Sequence, residues 1–196
     1  MPQKRRTFQR SLGDHPYKKL FMLAVEGAKT ERQYFGIFNK QESVIWVKCL
    51  KNSPGSSPLH VLKRMKDQLR KVELRSTDEA WLVVDKDQWS DEQLLQLHDW
   101  AQTGENFGFT LSNPKFEYWL LLHFEDGNDI ASARDCTDRL KRHLTDYDKG
   151  IDVRKFTNER IEAAIRRAKL RDNPTCVDWP RSIGGTTIYR LVEKLM

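Results

Sequence analysis

Ala80-Trp81-Leu82-Val83-Val84 is an unbroken apolar run, and it ends at once in Asp85-Lys86-Asp87. Five such residues with a β-branched pair read as a buried strand. Acids directly after its carboxyl end stand where α/β sheets carry functional groups, although an Asp-x-Asp alone reads more readily as ordinary strand-end residues and gains weight only beside a third acid. Similar runs lie on both sides of it. Leu20–Val25 ends in Glu26, Val44–Leu50 is β-branched and aromatic, and Gly108–Leu111 precedes Ser112-Asn113-Pro114. Segments of helical character separate them: Thr30–Asn39, Leu59–Leu74 with Leu62, Met65, Leu69 and Val72 on one stripe, and Asp91–Thr103. Strands alternating with helices predict an α/β fold with a mainly parallel sheet flanked by helices.

Beyond this unit the character becomes helical. Lys115–Phe124 is apolar nearly all round and predicts a buried helix, with Asn113 as its cap and Pro114 in its first turn. Thr30 followed by Gln33 has the spacing of a capping box. Ala131–Leu144, Asn158–Leu170 and Thr187–Leu195 complete a helical C-terminal part. The expected organisation is a basic arm over 1–19, an α/β core over 20–128 and a helical part over 129–196 packed on that core.

Three acids occupy strand ends: Glu26, Asp85 and Asp87. In extended chain, residues i and i+2 point to one face, so Asp85 and Asp87 can aim both carboxylates at one ion. A hard cation such as Mg²⁺ or Mn²⁺ takes one or two carboxylates together with waters and phosphate oxygens. Crowded acids would otherwise repel one another and hold their protons. Glu117 lies among Phe116, Tyr118, Trp119, Leu120 and Leu121, where it is either a helix-start acid in a structural ion pair or a further member of the acidic site. His123, on the same buried segment, reads more readily as a satisfied core histidine than as a catalytic one.

Composition excludes several classes. The 196 residues hold 34 Lys and Arg against 28 Asp and Glu, a formal charge of +6. Six bases and one acid before residue 20 supply +5 of it, so the remainder is close to neutral. Cys49, Cys136 and Cys176 form no Cys-x-x-Cys pair, which argues against a disulfide framework or a cysteine zinc site and favours a reducing cytoplasm. No apolar stretch approaches the roughly 18 residues of a membrane span. Gly27-Ala28-Lys29-Thr30 ends like a phosphate-binding loop but lacks its earlier glycine.

Four segments together resemble the RloB family. They are Val25-Glu26-Gly27-Ala28-Lys29-Thr30-Glu31 with Tyr34-Phe35, Val84-Asp85-Lys86-Asp87, Leu111–Trp119 with Leu122-His123-Phe124, and Tyr147-Asp148-Lys149. The closing Thr186–Leu195 is similar to the family's last helix. Val25 stands where many relatives carry a Cys before the Glu. The resemblance implies a Toprim-like fold, association with bacterial restriction and abortive-infection systems, and a site in which Asp85 and Asp87 bind Mg²⁺ while Glu26 is ligand or general acid/base.

Toprim sites act on phosphodiester bonds, and the chain is too short to include the strand-passage domains of a topoisomerase. The expectation is therefore a metal-dependent nuclease acting on DNA or RNA. Lys29 and Lys149 would neutralise charge on the phosphate, Glu117 and His123 would support the site, and Arg160, Arg166, Arg167, Lys169 and Arg171 would track the nucleic-acid backbone. The alternative is a non-catalytic binding or effector subunit working with a partner ATPase. An Asp-nucleophile phosphatase fits less well, because its Asp-x-Asp normally follows the first strand.

Overall fold

The computed structural model describes residues 18–51, 57–87, 89–148 and 150–196. The chain runs β1 (Lys19–Val25), α1 (Thr30–Gly36), β2 (Ile45–Cys49), α2 (Pro58–Leu69), β3 (Glu79–Asp85), α3 (Asp91–Ala101), β4 (Phe107–Asn113) and α4 (Phe116–Leu121). It continues with α5 (Ala133–His143), a 3-10 turn at Val153–Lys155, α6 (Asn158–Arg171), β5 (Gly185–Thr186) and α7 (Ile188–Leu195). The sheet order is β2-β1-β3-β4-β5. All neighbours are parallel except β4 and β5, which pair antiparallel through Ser112–Thr186 and Asn113–Gly185.

Both faces of the sheet are covered, which explains why its strands are apolar runs instead of alternating ones. Phe21, Leu23, Val25, Trp81 and Val83 face a core built with α1, α4, α5, α6 and α7. Met22, Ala24, Ala80, Leu82, Val84, Phe109 and Leu111 face the opposite core, with α2 and α3. Gly108 lies beside Trp81 in the register, and a Cβ there would stand 2.4 Å from the indole. The bare backbone is what admits the ring.

Two capping expectations are corrected. Thr30 is the first residue of α1, behind a Lys29 cap that makes no side-chain bond, and Gln33 Oε1 accepts from the Ile151 amide instead of closing a box. The capping box is at Ser90 and Gln93, opening α3. Asn113 does not cap α4 either. It ends β4, and its amide donates to the carbonyls of Pro180 and Arg181 at 3.2 and 3.0 Å. Lys115 occupies the cap position and Pro114 precedes the helix. In each case a tertiary partner far along the chain won over the local bond.

Candidate functional site

Because β1, β3 and β4 are parallel, their carboxyl ends share one edge, with β3 in the middle. After β1 the chain passes to β2 on one side by way of α1; it then recrosses through α2, on the opposite face, to β3 on the other side. The gap between β1 and β3 is thus a topological switch point, where open α/β sheets form their binding crevice. Glu26 and Asp85 flank it. The Glu26 amide donates to the Val83 carbonyl at 3.1 Å, and the Asp85 amide donates to Glu26 Oε2 at 3.2 Å.

A cleft of about 490 Å³ opens here, lined by Glu26, Lys29, Glu31, Asp85, Asp87, Lys115 and Glu117 among others. The i, i+2 spacing predicts Asp85 and Asp87 on one face of an extended chain. The strand stops at Asp85, however, and Asp87 sits in a left-handed turn at φ 34°, its amide bonded to the Pro114 carbonyl at 3.1 Å. Asp87 reaches the same cleft by a turn, from the exposed side.

Glu31 was not expected as a site residue. It is buried in the second position of α1, and its Oε1 accepts the Gly27 amide at 2.6 Å. A Cβ on Gly27 would stand 2.1 Å from Glu31 Oε2, so the glycine is required by the close approach of that carboxylate. The signal was present as the last acid of Glu26-Gly27-x-x-Thr30-Glu31, but a helix-start acid gives no sign that it folds back.

The carboxylates perturb one another. Burial raises the Glu26 pKa to about 7, with the charges of Glu31 and Asp87 adding to it, while the Asp85 amide and the Trp89 indole oppose the shift. Burial also holds Asp85 well above the usual carboxylate range, reinforced by Glu31, Glu26 and Glu117. Glu117, on the first turn of α4, is buried, and its Oε1 accepts from the Tyr147 hydroxyl at 2.7 Å. Lys29 lies against the Gly150 backbone. Lys149, expected beside the phosphate, lies outside the described residues.

Among the described residues, no set of three or more His, Cys, Asp or Glu is arranged to hold a metal ion with the side chains as they stand. The donor chemistry nevertheless fits a hard cation. Glu26, Glu31, Asp85, Asp87 and Glu117 bring carboxylate oxygens to one cleft, and the charges of Glu31, Asp87 and Glu117, which add to burial in raising Glu26 and Asp85, are ones a divalent ion would offset.

His123 is not brought to the cleft. It is 2 % exposed, with Nε2 3.0 Å from the Tyr34 hydroxyl and Nδ1 3.0 Å from the Trp119 carbonyl. Burial lowers its pKa to about 3, so it is a neutral core histidine packed edge-on to Tyr34, Trp119 and Phe156. The basic set on α6 is also largely committed within the protein. Arg167 bonds Asp126 and the Leu122 carbonyl, Arg171 bonds the Asp126 carbonyl and Asn128, and Lys169 pairs with Glu193. Arg160 donates to the Lys155 carbonyl and lies over Phe124. Arg166 and Lys169 line a separate groove of about 640 Å³ across α6 and α7, which none of the predicted acids enters.

The fold and the cleft define an α/β protein with a carboxylate-lined crevice at the switch point of a mainly parallel sheet. The family model for RloB-like proteins matches residues 21–195, and the chain belongs to that family. No curated protein and no solved structure matches it. Among the described residues, no helix is long and apolar enough to cross a membrane.

Proposed function

We propose that the protein is a Mg²⁺- or Mn²⁺-dependent nuclease of Toprim type, hydrolysing phosphodiester bonds of DNA or RNA in the cytoplasm as part of bacterial anti-phage defence. The observation that carries this reading is the meeting of Glu26 and Asp85 at the switch point, joined in one cleft by Asp87, Glu31 and Glu117. Membership of the RloB-like family supports it.

Asp85 and Asp87, with Glu26, would hold the cation. When bound, such an ion polarises the scissile phosphate and acidifies the attacking water. Glu26, facing the same crevice, would take the proton of that water. Lys29 and Lys115 line the same cleft, where their positive charge would attract and orient a phosphodiester. The Asp85 amide fixes Glu26 through its Oε2, so the proton acceptor is oriented by the strand that carries the principal ligand.

The test is cleavage of labelled DNA, tRNA and other RNA with Mg²⁺ or Mn²⁺ by wild type, Asp85→Asn and Glu26→Gln. The proposal expects cleavage by wild type alone, abolished by EDTA. Equal cleavage by all three proteins would overturn the assignment of the site.

A further inference from the structure

Tyr147 stands in the loop after α5, 5 % exposed, and is separated by 30 residues from the carboxylate it touches. Its single hydroxyl hydrogen is donated to Glu117 Oε1 at 2.7 Å. Thr30 Oγ1, equally buried at the head of α1, lies 3.4 Å from the same phenol oxygen. The phenol hydrogen is used on Glu117, so any bond here is donated by Thr30. The result is a chain of groups from the head of α1, directly after the loop that carries Glu26 and Lys29, to the helix that carries Glu117. Neighbouring contacts run between the same two segments: the Ile151 amide donates to Gln33 Oε1 on α1 at 2.9 Å, and Lys29 lies beside Gly150.

A buried carboxylate with two free oxygens could turn about its last torsion. With Oε1 tied to Tyr147, Glu117 presents a fixed orientation to the cleft that it lines. We propose that Glu117 joins Asp85, Asp87 and Glu26 around the cation that the cleft takes, and that Tyr147 is a positioning residue that sets the Glu117 carboxylate and acts through it. The inference rests on the metal-dependent reading of the cleft. Partners that orient a ligand from behind typically change metal affinity by about ten- to a hundredfold when removed.

The experiment is a double-mutant cycle read by Mn²⁺ binding, measured from the free-ion EPR signal, on wild type, Tyr147→Phe, Glu117→Gln and the double variant. Phenylalanine keeps the ring in its pocket and removes only the hydroxyl, and near-UV circular dichroism verifies the fold of each variant. The expected result is an affinity loss of about tenfold in Tyr147→Phe that disappears in the Glu117→Gln background. Unchanged affinity in a folded Tyr147→Phe, or an equal loss in both backgrounds, overturns the role of Tyr147 and leaves the metal site standing. Wild type that takes up no Mn²⁺ overturns the metal reading and this inference with it.

Discussion

Glu26→Gln should make the metal-free protein more stable, and only above mildly acidic pH. The Glu26 carboxyl moves from an ordinary value of 4.5 to about 7 in the folded protein, chiefly by burial. Because the folded value is raised, the favourable contribution is complete below pH 4.5, where both folded and unfolded chains hold the proton. It is lost as pH rises through about 7, where the folded protein must ionise a group it disfavours. At about 1.4 kcal/mol per unit the full difference is about 3 kcal/mol, and partial solvent access reduces it to about 2. Glutamine keeps an oxygen for the Asp85 amide and cannot ionise. For a chain of this size 1 kcal/mol is worth roughly 2–4 °C, so the variant should melt about 4–8 °C above wild type at pH 8. The two should nearly coincide at pH 4.5. Thermal unfolding followed by circular dichroism in EDTA, from pH 4.5 to 8.5, measures it. A gain of the same size at both ends of the range, or none at pH 8, would refute the burial argument.

Other perturbations follow from the same geometry. Gly27→Ala places a methyl on the Glu31 carboxylate and should weaken Mn²⁺ binding, measured by EPR, in a protein whose far-UV spectrum is unchanged. His123→Ala removes a satisfied core side chain and should lower stability by about 2–4 kcal/mol in urea unfolding, while kcat of the folded fraction stays within about twofold of wild type. Arg167→Ala should lower stability by about 1–2 kcal/mol through the loss of its bonds to Asp126 and the Leu122 carbonyl. The salt dependence of nucleic-acid binding should be unaffected by that change, and a shallower slope by filter binding would restore Arg167 to the interface.

The α/β class was legible because parallel strands covered on both faces must be apolar throughout, and Leu20–Val25 and Ala80–Val84 are. Strand-end acids were legible for the same reason: the apolar run stops where the chain reaches the crevice. What could not be read locally was anything decided across the sheet. β5 is two residues long, too short for a period, and exists through its pairing with Ser112 and Asn113. Gln33 and Asn113 looked like capping residues until partners more than 60 residues away claimed their side chains. Glu31 carries the spacing of an ordinary helix-start acid, and its reach back to Gly27 depends on a missing Cβ. The basic stretch of α6 resembled a nucleic-acid face because its partners, Asp126, Asn128 and Glu193, lie on other segments.

Mn²⁺-supported cleavage by wild type beside Asp85→Asn, on one preparation with binding and turnover measured together, bears most directly on the central claim. Asp85 is the carboxylate around which Glu26, Glu31 and Glu117 gather. The account predicts that wild type binds Mn²⁺ and cuts DNA or RNA, and that Asp85→Asn, folded and at equal concentration, does neither. Cleavage by Asp85→Asn at the wild-type rate would contradict it.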